Sequence, residues 1–206
     1  MPRRPALTTA TAALCALTAL TACQGSPEAG QPNTTPTTTS AASTPTPTPV
    51  NPSTPGWTPA EKAAIAAAKA RYMSARAAID VALNDPAAAT DAKLLQAGTG
   101  GAWLVRVLTD VQFNLDRGWY QNGRLAVAIL SVASVKLKAE QPEVRLNVCL
   151  DTSKVGLYYK KTHKPVPGIP ANGNRHKIQA QVVYASLDGQ STKMWFLIDE
   201  KDLGSC

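Results

Sequence analysis

Apolar positions predict helices in the first part of the folded region. Between residues 58 and 84 apolar side chains recur every three or four positions, which places them on one face of a helix. This stripe consists of Ile65, Ala68, Tyr72, Ala75, Ile79 and Leu83. Thr58-Pro59-Ala60-Glu61 is a capping box with proline at the first helical position, and Asn84-Asp85-Pro86 ends the helix.

Two further helices follow before the pattern changes. A short helix is predicted over residues 87–96, closed by the breaker Gly98-Thr99-Gly100-Gly101. A third helix carries an apolar stripe and stops at Gly118. The members of that stripe are Trp103, Val107, Val111 and Leu115.

After Gly118 the pattern favours strands. Residues 144–151 alternate apolar and polar positions, and Asp188-Gly189 is a strong hairpin signal between two further strands. Residues 161–174 are rich in Pro, Gly and Asn and predict a loop. The predicted strands cover residues 124–138, 144–151, 157–159, 177–187 and 192–198. Helices followed by an antiparallel sheet predict an α+β fold.

The N-terminal residues 1–22 predict a secretion signal. Arg3 and Arg4 form a positive region before the short, Ala/Leu/Thr-rich run 6–20, which is too short and too weakly apolar for a comfortable membrane span. Leu20-Thr21-Ala22-Cys23 then resembles a bacterial lipobox. The resemblance implies cleavage before Cys23, a diacylglycerol on its sulfur, and a protein held on the outer face of the cell membrane. The alternative is a plain secreted protein.

Residues 23–56 predict a tether rather than a fold. After Cys23 the segment holds eight prolines, nine threonines and four serines, with Glu28 as its only charged side chain. Such a composition cannot bury enough surface to offset the entropy of ordering. The folded domain is therefore predicted to span residues 57–206.

Composition excludes several classes of protein. The 206 residues carry a formal net charge of +7, and only 5% of them are aromatic. Four cysteines without C-x-x-C spacing are too few for a disulfide-dense miniprotein and do not form a zinc motif. Without a second long apolar run, a multispan membrane protein is excluded.

The order of elements resembles a known architecture. Two or three helices, the spacing Gly118 to Gly123, and four or so strands resemble the nuclear-transport-factor-2-like, or cystatin-like, cone. More narrowly, the stretch 148–153, Trp195 and Cys206 resemble small envelope lipoproteins of actinobacteria with a Thr/Pro-rich stalk. The resemblance implies N-terminal helices packed on a curved antiparallel sheet of about four strands. It implies no single activity, because this fold hosts enzymes, binders and scaffolds.

Cys149 and Cys206 are the two cysteines of the predicted domain. An exported location permits oxidation, so we expect a disulfide between them. The alternative is a reactive thiol pair, for which the close C-x-x-C spacing that lowers a thiol pKa is missing.

Few residues point to catalysis. Enzymes of the cone fold use an Asp or an Asp–His pair in the cavity, as the resemblance implies. Here His163 and His176 lie around the predicted loop, Asp110 and Asp116 lie off the helix stripe, and Asp151 is placed to cap a turn with Thr152 and Ser153. We expect no catalytic site, no cofactor and no metal site, and a cone-type isomerase, dehydratase or cyclase is the less favoured alternative.

Basic residues between Asp151 and Asp188 are a candidate interaction face. No acidic residue interrupts this stretch, and tyrosines and histidines are interleaved with the cations. Its basic members are Lys154, Lys160, Lys161, Lys164, Arg175 and Lys177. Such a surface could meet anionic lipid headgroups, cell-wall polymers or an acidic protein partner, or it could be simply a solvated face. A nucleic-acid partner is not expected for an exported, tethered domain.

The larger aromatic side chains leave two interpretations open. They could line a cavity that carries a small apolar ligand, or they could fill the core. The residues concerned are Tyr72, Trp103, Trp119, Tyr184 and Trp195. The sequence as a whole predicts a membrane-anchored lipoprotein that displays a non-catalytic binding or scaffold domain, with the ligand carrier as an alternative.

Overall fold

The computed structural model describes residues 56–168, 175–187 and 191–206. Outside them lie the predicted signal peptide, Cys23, nearly all of the predicted tether and the predicted hairpin turn at Asp188-Gly189. Within the described ranges, no helix is both long enough and apolar enough to cross a membrane.

Helix α1 spans Pro59–Asn84, as the capping box and the terminal proline predict. The Thr58 hydroxyl accepts a bond from the Glu61 amide at 3.3 Å, and the Glu61 carboxylate accepts one from the Thr58 amide at 2.8 Å. The predicted stripe is buried from Ile65 to Ile79, but Ala82 rather than Leu83 is its last fully buried member.

The region predicted as one helix over 87–96 is divided. A 3-10 turn covers Pro86–Ala88, and helix α2 covers Asp91–Ala97. The division falls at Thr90, whose extended backbone and hydroxyl cap a new helix by accepting a bond from the Lys93 amide.

Helix α3 spans Gly101–Arg117 and ends at Gly118, which has a positive φ of 64°. Val107 and Val111 are buried as predicted, but Leu115 is 40% exposed and Asn114 is buried in its place. The prediction for Leu115 was wrong because the buried face continues from Val111 at a step of three residues rather than four.

In the described part of the chain, six strands form two antiparallel sheets. Strands β2, β3, β5 and β6 lie in that order in a four-stranded sheet, while β1 and β4 form a small sheet. The strands are β1 (Trp119–Asn122), β2 (Ala126–Lys136), β3 (Glu143–Asp151), β4 (Gly156–Tyr159), β5 (Arg175–Ser186) and β6 (Lys193–Ser205). The predicted α+β class with a four-stranded antiparallel sheet is confirmed, although β6 runs seven residues beyond the predicted 192–198 and β1 was not predicted.

The core lies between α1 and one face of the four-stranded sheet. The alternation in β3 is confirmed, because its four aliphatic side chains on this face are at most 5% exposed. They are Val144, Leu146, Val148 and Leu150. Ala68 and Tyr72 of α1 are fully buried in the same cluster. Burying a side chain of this size contributes about 1.5–3 kcal/mol, so this face holds the helix and the sheet together.

The link between α2 and α3 extends the edge of the large sheet. The Gly100 amide donates to the Leu197 carbonyl at 2.9 Å, and the Leu197 amide donates to the Gly98 carbonyl at 2.7 Å. A Cβ at Gly100 would lie 3.0 Å from the Phe196 ring, so glycine permits this close approach. The predicted helix breaker thus also fixes where α3 begins beside β6.

Candidate functional site

The small sheet contains a third, shorter segment beside β4. The Tyr159 amide donates to the Lys164 carbonyl at 3.0 Å, and the Val166 amide donates to the Leu157 carbonyl at 2.9 Å. Residues 164–166 therefore run antiparallel to β4, inside the region predicted as a loop over 161–174. The Val166 side chain is only 6% exposed, and its burial anchors the segment to the domain.

A tight turn joins β4 to this segment. His163 has a φ of +55°, the only positive φ of a non-glycine residue among those the structure describes. Its amide donates to the Tyr159 carbonyl at 2.8 Å. A left-handed backbone at such a residue is uncommon and persists where neighbouring bonds impose it. The turn consequently holds its side chains in a defined arrangement.

Three ring side chains form a row on the outer side of the small sheet. Tyr120 of β1 pairs with Tyr158 of β4, and Tyr158 also pairs with Pro165 of the segment 164–166. Directly paired residues point to the same face, so we call Tyr120, Tyr158 and Pro165 the ring row. The two tyrosine ring centres are 5.9 Å apart.

Neighbouring residues fix the two tyrosines of the ring row in place. At one edge, Tyr120 Oη lies 3.1 Å from Nδ1 of His163, whose ring stands edge-on to the tyrosine. Gly156 lies beside Tyr158, and a Cβ there would come within 2.8 Å of the Tyr158 ring. Tyr120 and Tyr158 are half-buried, while Pro165 and His163 are exposed. The row is therefore partly accessible to solvent, and neighbouring contacts fix its tyrosines in place.

The inner side of the small sheet packs on the end of α3. Trp119 and Tyr159 contact each other edge to face with ring centres 6.2 Å apart. Phe113 lies edge-on to Trp119, and the Arg117 guanidinium lies 3.6 Å from the centre of the Phe113 ring. Aromatic and cation–π contacts of this kind contribute about 0.5–1.5 kcal/mol each beyond area burial.

A buried carboxylate joins the small sheet to α1. Asp80 accepts bonds from Gln121 Nε2 and from the Leu125 amide, both at 3.1 Å. Asp80 is 5% exposed, and burial raises the pKa of its carboxyl despite these bonds. This contact fixes β1, and with it the ring row, on the helix.

Three of the six predicted basic residues lie at the turn beside the ring row. Lys160, Lys161 and Lys164 are all exposed. Lys160 forms an ion pair with Asp85 at 3.3 Å, in which both side chains are more than half exposed. The ion pairs found among the described residues do not include Lys161 or Lys164.

The other three predicted basic residues lie at the end of the large sheet. Arg175 and Lys177 begin β5, and Lys154 lies in the turn after β3. Asp151 accepts a bond from the Ser153 amide at 2.8 Å, which confirms its predicted turn-capping role. Bonds from Ser153, aided by the nearby cations Arg175 and Lys154, lower the pKa of the Asp151 carboxyl. The six residues thus form two groups, one at the turn after β4 and one at the end of the large sheet.

The predicted disulfide between Cys149 and Cys206 is present. Cys149 is 2% exposed, while Cys206 is exposed at the end of the chain. The Cys206 amide donates to the Arg175 carbonyl at 3.2 Å, and the Arg175 side chain reaches Cys149 Sγ at 3.5 Å. The bridge fastens the last residues to β3 and β5.

The histidines and the exposed aspartates do not form a buried acid–base pair within the described ranges. His176 Nδ1 lies 3.1 Å from Asp202 Oδ2, and these side chains are 38% and 56% exposed. His163 contacts Tyr120 as described above. Asp110 and Asp116 are exposed on α3, as predicted from their position off the stripe.

A buried network that the sequence did not indicate lies between α1 and β6. Glu200, whose side chain is 4% exposed, accepts a bond from Tyr72 Oη at 2.7 Å and one from Arg76 Nη1 at 3.0 Å. Burial raises the pKa of Glu200 and that of the Tyr72 phenol. The Tyr72 phenol and the Arg76 guanidinium both donate hydrogen bonds to this buried carboxylate, so the network joins α1 to β6.

A second surface feature is a groove at the rim of the large sheet. It runs between α1 on one side and the β2–β3 connection with parts of β5 and β6 on the other. Its volume is about 940 Å³, and we call it the rim groove. Its lining is Ala63, Ala64, Ala67, Ala70, Arg71, Ser74, Leu137, Pro142, Tyr184, Lys193, Met194 and Trp195.

The five large aromatic residues considered from sequence do not share one cavity. Tyr184 and Trp195 line the rim groove with ring centres 5.3 Å apart. Tyr72 is in the core, Trp103 packs against it, and Trp119 belongs to the small sheet. The core interpretation is confirmed for Tyr72, which is fully buried, whereas ligand binding by the remaining aromatic residues stays a prediction.

Sequence reasoning missed the ring row. The doublets Trp119-Tyr120 and Tyr158-Tyr159 were its only local signal, since aromatic residues favour strands. The pairing of these doublets joins residues that are far apart in the chain. No group of three or more His, Cys, Asp or Glu side chains suited to a metal ion occurs in the part of the chain that the structure describes.

No protein-family model matches this chain, and no curated protein matches it. Among solved structures, the chain is similar to the intermembrane space region of the chloroplast protein ARC6. The sequences are 12% identical, the alignment covers 70% of this chain and 97% of that one, and the TM-score is 0.42.

Proposed function

We propose that this protein is an extracytoplasmic lipoprotein whose folded domain is a non-catalytic module that binds an anionic polysaccharide of the cell envelope. The observation that carries the proposal is the ring row with lysines beside it. Tyr120, Tyr158 and Pro165 share one face of the small sheet, on which the tyrosines are half-buried and the proline is exposed. The next turn presents Lys161 and Lys164 without an acidic partner among the described residues.

The chemistry of this surface suits a sugar polymer with negative charges. Ring faces offer a flat apolar surface on which the C–H face of a sugar can stack, and tyrosine does so with little loss of side-chain freedom. Exposed lysines attract phosphate or carboxylate groups over about 10 Å at moderate salt and so favour anionic polymers over neutral ones. The left-handed turn at His163 holds the two features side by side.

The N-terminal sequence supports the proposed location. The lipobox-like Leu20-Thr21-Ala22-Cys23 would place acyl chains at Cys23, each buried methylene contributing about 0.8 kcal/mol to membrane retention. Residues 24–56 would span about 30 Å as a flexible coil and about 100 Å as extended polyproline. A domain on such a tether reaches envelope polymers beyond the lipid headgroups.

The binding surface is tested with charge reversal in the full-length protein. Lys161→Glu together with Lys164→Glu should weaken binding to polygalacturonate, an anionic polysaccharide, about tenfold, because attraction becomes repulsion. Tyr120→Ala together with Tyr158→Ala should weaken it similarly at high salt, where stacking remains and charge attraction is screened. Binding is measured by calorimetry against neutral dextran as the reference polymer.

The matched control reverses Lys62 and Lys138, two exposed lysines away from the turn. This control makes the same change in net charge and should leave affinity within about twofold. Equal losses in the control and in the test variant would show that only net charge matters and would contradict the proposal.

Location is tested separately at Cys23. In a Gram-positive host, Cys23→Ala should release the protein from the membrane fraction into the medium or leave its precursor uncleaved, because the acyl anchor is missing. Intact-mass measurement of the native protein should find a diacylglycerol on Cys23. An unmodified Cys23 on a membrane-free protein would overturn this part of the proposal.

A further inference from the structure

We infer that the rim groove binds a single-chain amphiphile with an anionic head. The inference rests on the walls and charges of the groove and is independent of the ring row. The groove volume of about 940 Å³ falls in the range of small-molecule sites.

One wall of the groove is a stripe of small residues on α1. Ala63, Ala67, Ala70 and Ser74 are exposed and follow one another at helical spacing. With side chains this short, an elongated ligand can lie against the helix backbone. The stripe extends over about 17 Å of helix.

The opposite wall supplies apolar and aromatic surface. Tyr184 is 37% exposed and contacts Trp195, which pairs with it directly across β5 and β6. Leu137 and Met194 extend this wall. A chain of methylene groups placed between the walls would remove apolar surface from water on both sides.

The charges at the groove have one sign. Among the residues that the structure describes, Arg71 and Lys193 are the only charged ones in its lining. Arg71 Nη1 donates to the Gln96 carbonyl at 3.0 Å, which leaves further guanidinium donors, and the ion pairs of the described residues include neither cation. A carboxylate or phosphate head is therefore the complement of this groove.

The same charges argue against a second copy of the chain as the occupant. A two-fold dimer across the groove would place the patch against itself and bring the cations of both copies together without a counter-charge. Like charges in an interface are unfavourable. An amphiphile with a negative head satisfies the cations and the apolar walls at once.

The test uses the full chain carrying Cys23→Ala, which has no acyl group of its own. Laurate and dodecyltrimethylammonium, which have equal chain lengths and opposite head charges, are titrated below their critical micelle concentrations and followed by calorimetry. Laurate should bind one per chain and at least about tenfold more tightly than the cation. Equal binding of the two probes, or no binding of laurate, would overturn the inference.

Two pairs of variants locate the site. Ala67→Trp fills the groove and should weaken laurate binding at least about tenfold, whereas Ala66→Trp, at an exposed helix position outside the lining, should not. Lys193→Glu should remove the preference for laurate, while Lys201→Glu on the same strand should keep it. Laurate binding that Ala67→Trp leaves unchanged would place the ligand elsewhere and overturn the inference.

Two further experimental outcomes bear on the inference. A dimer that Ala67→Trp dissociates would make the groove an interface and overturn the inference. Loss of polygalacturonate binding in the Lys161 and Lys164 variant with laurate binding intact would support two independent sites. Failure of laurate binding alone leaves the polysaccharide proposal untouched.

Discussion

At the scale of single residues, Glu143 is a carboxylate whose environment favours its charged form. It accepts a bond from Arg145 Nε at 2.7 Å and a short one from Gln181 of the neighbouring strand. The hydrogen bond from Arg145 is the largest cause that lowers the pKa of the Glu143 carboxyl. Gln181 and Lys136 lower this pKa further, whereas partial burial raises it. The residue therefore couples stability to pH.

We expect Glu143→Gln to lower the free energy of unfolding by about 1 kcal/mol at pH 7, because a charge-assisted bond to a half-exposed Arg145 is lost. A carboxyl whose pKa is lower in the folded state stabilises above its unfolded pKa and loses that contribution as pH falls through the folded pKa. The difference between wild type and variant should therefore shrink below about pH 4.5. Urea unfolding from about pH 3 to 7 measures this.

Glu140→Gln is the matched control, since Glu140 is an exposed carboxylate close by in the chain. It should change stability by less than about 0.5 kcal/mol at every pH. A Glu143→Gln difference that stays constant down to the lowest pH measured would contradict the assigned role of the charge.

At the scale of elements, the start of α1 depends on its capping box. The Thr58 hydroxyl and the Glu61 carboxylate satisfy each other's amides. We expect Thr58→Ala to cost about 1 kcal/mol of stability, because the Glu61 amide loses its acceptor. Thermal unfolding measures this loss, and hydrogen exchange should rise in the first turn of α1.

Thr58→Ser retains the hydroxyl and should remain within about 0.5 kcal/mol of wild type in the same thermal unfolding measurement. Equal destabilisation by serine and alanine would show that the methyl group, not the capping bond, is responsible.

The helices and β3 were predictable because their signals are local. The stripe of α1 and the alternation in β3 each repeat several times within one segment, so a single face emerges from the sequence. Strand β1 has four residues, which is too short for a clear alternation. It is a strand because it pairs with β4, where Trp119 lies opposite Tyr159. The bond from Gln121 to Asp80 of α1 then holds it on the helix, and neither contact is visible in a local pattern.

At the scale of the whole molecule, the disulfide closes a separation of 57 residues. In the chain-entropy treatment such a cross-link contributes about 4 kcal/mol. We expect Cys149→Ser combined with Cys206→Ser to lower the free energy of unfolding by a few kcal/mol and to increase hydrogen exchange over the last residues of β6. Denaturant unfolding with and without reductant measures the effect.

Reductant should destabilise the wild-type protein and leave the double variant unchanged. A wild-type protein whose unfolding midpoint does not respond to complete reduction would show that β3, β5 and β6 hold the chain end without the bridge.

The sequence by itself determined the α+β class, the three helical regions and the main strands, because these follow from periodicity and caps. It also predicted the disulfide, because Cys149 and Cys206 are the two cysteines of the predicted domain. Tertiary structure decided which polar and aromatic residues meet. Glu200 of β6 reaches Tyr72 and Arg76 of α1, and the six basic residues separate into a group at the turn after β4 and a group at the end of the large sheet. The physical reason is that side-chain contacts depend on strand register and on helix packing, which no local pattern in the chain encodes.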